Sequence, residues 1–265
     1  MTEDILKKIK QLPPLPESAM QIEAVYQNPD SSFNDMVKIL EKDPLLTADI
    51  LKAANSPLYG FSREINAISQ AVGLFGMGTV RGFALASIVK KSFSLDLSPY
   101  GIDSDMFSLL SKKQHALTTA WCLKTEGKLL GVLSPAAFLV EIGKVLIAQQ
   151  IKTEKKEVEF RDALKELQDV EAAERKIAGV DTPEVSATIF EHWRFESGLV
   201  NTIANCQNPD KADEADKKAA QILQVVRATV PINGVVTEES ISKAKDLIAK
   251  YALHLESFEK ALKNL

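Results

Sequence analysis

The chain has only two cysteines in 265 residues, Cys122 and Cys206, and they form no CxxC pair. That argues against a disulfide framework and fits a reducing compartment. Histidine is nearly as scarce. His115, His192 and His254 are spread too widely to suggest a local metal motif. There is no GxSxG, no Walker sequence and no Cys/His arrangement with a recognisable local signature, so the common nucleophile and phosphate-loop chemistries find no support. Gly73, Gly76, Gly78 and Gly82 cluster but fit neither GxGxxG nor a P-loop, and a helical pattern precedes them. Close helix packing and a turn account for them. An excess of one charge is missing too: 32 basic against 36 acidic residues leaves a net charge of −4, which gives no global electrostatic reason to bind nucleic acid. The opening MTEDILKKIKQ lacks a signal-peptide core, and no apolar run is expected to reach transmembrane length. No membrane association is expected, and the compartment expected is the cytoplasm.

Hydrophobic residues at 45% and charged ones at 26% are ordinary for a globular protein, and the length allows one large domain or two small ones. Helical periodicity runs throughout, without a strand pattern or an internal repeat. The expected fold is all-α, a two-lobed helical bundle. Residues 1–97 form the first lobe, 98–210 the second, and 211–265 an extension of two helical segments packed on the same domain. Ser98-Pro99-Tyr100-Gly101 marks the clearest boundary, with the lobes meeting near residues 94–104. Within the second lobe, Ser134 and Pro135 are read as opening an apolar helix through Ile147. Residues 154–177 are read as one amphipathic helix with a solvated face.

One stretch, ILEKDPLLTADILKAANSPLYG over residues 39–60, organises the rest. Asp43 can cap a helix whose first position suits Pro44. Leu45, Ala48, Leu51 and Ala54 recur at helical spacing and predict the buried stripe, with Leu51 at its centre. Asn55, Ser56 and Pro57 end the helix, and Tyr59 and Gly60 close the turn. Upstream, Leu12-Pro13-Pro14-Leu15-Pro16 reads as a rigid corner whose leucines enter the core, in preference to a polyproline ligand. Downstream come Ile65-Asn66-Ala67-Ile68-Ser69-Gln70-Ala71 and Leu74-Phe75-Gly76. Together and in this order, these segments resemble the HDOD family, a branch of the HD superfamily that has lost its namesake catalytic residues. The resemblance covers roughly residues 10–210.

The resemblance carries a test. An HD-type phosphohydrolase binds one or two metal ions that acidify a water and clamp the phosphate. Its pattern has an isolated histidine, a His-Asp pair opening an apolar helix that ends in Gly-Lys, and further ligands. Here His115 stands where the first histidine is expected, and Phe138 to Lys144 match the His-Asp helix in shape. Val140 replaces the histidine and Glu141 the aspartate. Thr182, Cys206 and Gln207 stand where relatives often carry histidine. The implied protein is a non-enzymatic bacterial signalling or regulatory module acting through protein contacts, without metal or cofactor. Its partner is not named by the sequence. No receiver, GGDEF-like or EAL-like segment is seen, so a signal is expected in trans or by ligand. Two alternatives stand beside this reading: a small-ligand or nucleotide sensor using a vestigial HD cleft lined by His115, Glu141 and Lys144, and a residual hydrolase. Read from the residues alone, His115 is a hydrogen-bonded core histidine, and Glu141 pairs with Lys144 three positions on.

Overall fold

Helix starts and stops in this chain are set locally, and the computed structural model, which describes every residue except Asn264, shows them in place. Among the described residues all regular structure is helical. The first half contains α1 (Glu3–Lys10), α2 (Glu17–Gln27), α3 (Phe33–Glu41), α4 (Pro44–Ala54) and α5 (Ile68–Lys91). The second contains α6 (Ser104–Cys122), α7 (Leu130–Leu139), α8 (Gly143–Thr153), α9 (Glu157–Leu167), α10 (Val170–Ala178), α11 (Thr182–His192) and α12 (Ser197–Ala204). After these come α13 (Glu214–Thr229), α14 (Glu238–Lys250) and α15 (Leu255–Leu262), three helices where the sequence suggested two. One cluster of buried apolar side chains runs from Ile5 in α1 to Ala261 in α15.

Capping follows the residues. Ser32 and Asp35 form a reciprocal capping box at α3, and the Asp43 carboxylate accepts from the Leu46 N–H at 2.9 Å, with Pro44 at the first position of α4. The buried face of α4 differs from the expected stripe. Leu46, Ile50 and Ala54 are buried, whereas Leu45 is 74% exposed and Leu51 only half-buried. Nearly every position of PLLTADILKAA is apolar or small, so two stripes about 100° apart compete. The polar residues decide between them. Thr47 Oγ1 donates to the Leu40 carbonyl and Asp49 accepts from Ser87, which fixes the rotation of α4 between α3 and α5. Ile50→Ala is therefore expected to cost about 2–5 kcal/mol in urea unfolding, and Leu51→Ala clearly less. The reverse order would put the face back where the spacing placed it.

Two further boundaries depart from the expected ones. Pro135 lies inside α7, which begins at Leu130 and ends before a turn at residues 140–142, so the 134–147 segment is two helices. A proline cannot donate to the carbonyl four residues back. That carbonyl, on Gly131, accepts instead from Arg81 Nη1 at 3.0 Å. The 154–177 segment also divides, because Gln168 adopts φ 52° and Asp169 caps α10 by accepting from Ala172 N–H. Gly76 (φ 79°, ψ 162°) kinks α5 in two and supplies the turn expected of the glycine cluster. Gly82 lets α5 approach α7: a Cβ there would stand 2.5 Å from Ser134 Oγ and 3.1 Å from the Pro135 nitrogen.

The Pro-rich corner turns into the core as expected. Leu15 is buried and Leu12 packs against the core. The Pro13 carbonyl accepts from Trp193 Nε1 at 2.9 Å, and Pro16 precedes α2. α1 lies against α8 and α11. Contrary to the expectation of no apolar run of spanning length, two stretches, 68–91 and 127–153, are long and apolar enough by length and composition. Their apolar windows are 61% and 89% buried within the fold.

Candidate functional site

The organising corner meets the second half through His115. Residues Pro57–Tyr59 form a single 3₁₀ turn after α4, which points the Tyr59 hydroxyl at His115 Nδ1, 2.5 Å away. His115 Nε2 lies 2.8 Å from Ser134 Oγ, and the ring stacks on Phe138 at 3.9 Å with Phe83 at its edge. Burial pushes the histidine well below its ordinary pKa and the tyrosine well above its own, so both are neutral near pH 7. The network is satisfied when Tyr59 donates to Nδ1, Nε2–H donates to Ser134, and Ser134 reaches the Thr79 carbonyl. Asn55 holds the other side of the corner. Its amide accepts from Ile65 N–H and donates to the Ile65 carbonyl, each at 2.8 Å, and also reaches the Leu51 carbonyl. Ser56 then directs the chain into Pro57. His115→Ala strands the Tyr59 hydroxyl and Ser134. It is expected to lower the unfolding free energy by about 1–3 kcal/mol, as read by urea unfolding; an unchanged midpoint would show that the network stabilises nothing.

Glu141 and Lys144 come together elsewhere, in a buried ionic cluster. The turn between α7 and α8 sends both inward, and Lys144 Nζ sits 2.8 Å from Glu141 Oε2. This is the expected pair, but it is not alone. Arg227 of α13 takes Glu141 with Nε at 2.7 Å and Nη2 at 3.3 Å, and the same Nη2 reaches Glu171 at 2.5 Å. Lys144 also faces Glu174 at 3.4 Å and Thr182 Oγ1 at 3.0 Å. Glu174 accepts from Tyr100 and from both the backbone and side chain of Thr182. Burial opposes every charge here. For Glu141 it is outweighed by Arg227 and Lys144, which hold the carboxyl well below the usual range. For Glu174 burial prevails over Lys144, and Glu171 adds to it, so its carboxyl is raised.

The residues flagged from the resemblance are split by this geometry. Thr182, Cys206 and Gln207 do gather around Glu141 and Lys144: Cys206 Sγ is 3.9 Å from Arg227 Nη1, and Gln207 lines an adjoining cleft of about 270 Å³. Val140 is buried, with its carbonyl accepting from Ser186 Oγ. His115 is not part of this cleft. One residue along a helix is a rotation of about 100°, and it is Gln114 whose side chain donates to Glu141 at 3.2 Å and to the Val230 carbonyl at 3.1 Å. The cleft expected from His115, Glu141 and Lys144 is thus lined by the last two, with Arg227 and Glu171. Sequence reasoning had no signal for Arg227, which lies 86 positions from Glu141.

A dinuclear metal centre does not fit this donor set. Glu141 is occupied by two cations, burial pushes the Cys206 thiol up to about 12, and Gln114, Thr182 and Gln207 are neutral. Among the described residues no three His, Cys, Asp or Glu side chains group as metal ligands. A divalent ion would have to displace the Arg227 guanidinium and the Lys144 ammonium from their carboxylates.

Among the described residues the chain is an all-α bundle in which Glu141, in the turn between α7 and α8, is met by the internal cations Lys144 and Arg227. The HDOD domain profile matches residues 12–209, and the chain belongs to that family. Over its full length it resembles the crystal structure of a virulence factor from Campylobacter jejuni, 27% identical with a TM-score of 0.60 and complete coverage of both chains. It shares the fold of a candidate phosphohydrolase from Shewanella amazonensis (24% identity, TM-score 0.69, 99% of this chain and 94% of that one). It shares it too with a candidate signal transduction protein from Marinobacter aquaeolei (20%, 0.70, 99% and 59%). A curated uncharacterised protein of Treponema pallidum is 31% identical over 77 residues, which span 29% of this chain and only 15% of that protein.

Proposed function

We propose that this HDOD chain is a non-catalytic signalling module of the bacterial cytoplasm that works through protein contacts. The observation that carries the reading is the closure of the HD-type position on itself: Arg227 and Lys144 neutralise Glu141 where a hydrolase needs a carboxylate free for metal. Without a metal-activated water, the fold retains binding as its means of output. The signalling context is supported by the family and by the Marinobacter neighbour, whose name refers to signal transduction.

Purified chain supplied with manganese or iron is expected to show no hydrolysis of cyclic dinucleotides, nucleotides or p-nitrophenyl phosphate above background. Metal-dependent turnover abolished by Glu141→Ala would overturn the reading. The contact reading is tested by cross-linking the tagged chain in its own cell, where a reproducible protein partner is expected; its absence under signalling conditions counts against it. One observation favours a second reading, a nucleotide sensor: the cleft of about 270 Å³ beside Arg227, Lys144 and Gln224. Nucleotides that bind it raise the melting temperature, and no shift across common nucleotides removes that reading.

A further inference from the structure

A second cavity lies away from the ionic cluster, between α4, α5, α6 and the end of α7. It has a volume of about 520 Å³, well within the ~300–1,000 Å³ of small-molecule sites. Its floor is apolar. Phe83, Phe107, Phe138, Leu139 and Ile142 are all buried, and Phe93 and Leu95 from the connection between the halves close one side. Phe83 and Phe138 are also the rings that hold His115, so the floor is braced by the organising corner.

The rim has the opposite character. Four lysines (Lys52, Lys90, Lys91 and Lys112) and one aspartate, Asp49, line the cavity. Lys91 pairs with Asp49 at 2.8 Å, and Ser87 also donates to that carboxylate. Among the described residues, Lys52, Lys90 and Lys112 make no ion pair. Helix dipoles explain part of this pattern, since Lys52 and Lys90 lie in the last turns of α4 and α5, where cations are favoured. They do not explain Lys112, which sits in the middle of α6. Its ammonium is pushed down in pKa first by burial and then by Lys90 and Lys52, with Asp105 opposing them. A cation held against two others beside an apolar hole loses stability unless an anion joins it.

We infer that this cavity is a binding site for a small anionic amphiphile, an acyl or aryl tail carrying a carboxylate or phosphate, with the tail on Phe107 and Phe138 and the head among Lys52, Lys90 and Lys112. The site is distinct from the Glu141 cluster and does not depend on the assignment of that cluster.

Isothermal titration of the full chain with decanoate, decyl phosphate and 1-decanol, all kept below micelle formation, tests it. Decanoate and decyl phosphate are expected to bind, and the uncharged alcohol about tenfold or more weakly. Lys90→Gln with Lys112→Gln is expected to weaken decanoate by about tenfold, and Ala86→Phe to fill the cavity and abolish binding while the lysines remain. Circular dichroism and melting temperature confirm that each variant is folded. Equal affinity for decanol and decanoate, unchanged affinity in the double lysine variant, or no binding by the unaltered chain would overturn the proposal. So would binding to phosphatidylglycerol vesicles without binding of monomeric decanoate, which would move the chemistry to a membrane surface.

Discussion

Arg227→Met is expected to lower the unfolding free energy by about 3–5 kcal/mol, the usual cost of removing one partner from a buried ionic cluster. Arg227 is 8% exposed and holds Glu141 through two nitrogens and Glu171 through one of them. Methionine fills much of the volume but leaves Glu141 with Lys144 as its remaining ionic partner, while Lys144 must also face Glu174. Two carboxylates then lose their shared cation in a largely buried site. Glu141→Leu together with Arg227→Met removes charges of both signs and is expected to recover part of the loss. A buried ion pair replaced by apolar residues of similar size is often tolerated. Urea unfolding of the two variants measures both values. A loss below about 1 kcal/mol for the single variant, the range of exposed pairs, would mean that water reaches the cluster.

Arg81→Met is the second large loss, also about 3–5 kcal/mol. Arg81 is fully buried, and its guanidinium takes Glu23 of α2 at 2.6 and 2.7 Å, Glu196 before α12 at 2.7 Å, and the Gly131 carbonyl at 3.0 Å. It also lies over the Tyr26 ring at 4.3 Å. One side chain therefore ties α2 and α5 of the first half to α7 and the start of α12 in the second. Pro135 supplies no N–H to the Gly131 carbonyl four residues back, so the substitution also removes the donor that stands in for it. Arg81→Lys is expected to recover only part of the stability, since a single ammonium cannot reproduce the planar fork. Full recovery would show that charge alone, and not geometry, holds the halves together.

The fold class and the organising corner are legible because their signals are local. Asp43 and Pro44 act within one helical turn, and spacing suffices to see them. Rotation of a helix is less legible. In α4 two apolar stripes are both available, and only the neighbours of Thr47 and Asp49 select Leu46 and Ile50 over Leu51. A similar one-position ambiguity separates Gln114 from His115: the two occupy adjacent places on α6, and the choice between cleft and corner is made by α13 and by Tyr59. The Glu141–Lys144 pair is visible at its spacing of three. Its partners Arg227, Glu171 and Glu174 come from distant helices, and no spacing in the sequence links them to it. Arg81 is hidden in the same way, one basic residue within an apolar helix, its partners 58 and 115 positions away.

Manganese binding, followed by electron paramagnetic resonance on the purified chain near pH 7, tests the central claim most directly. Arg227 and Lys144 already satisfy Glu141, so the spectrum is expected to stay that of free manganese at stoichiometric metal. A bound signal approaching one ion per chain, lost in Glu141→Gln, would contradict the account and return the site to metal chemistry.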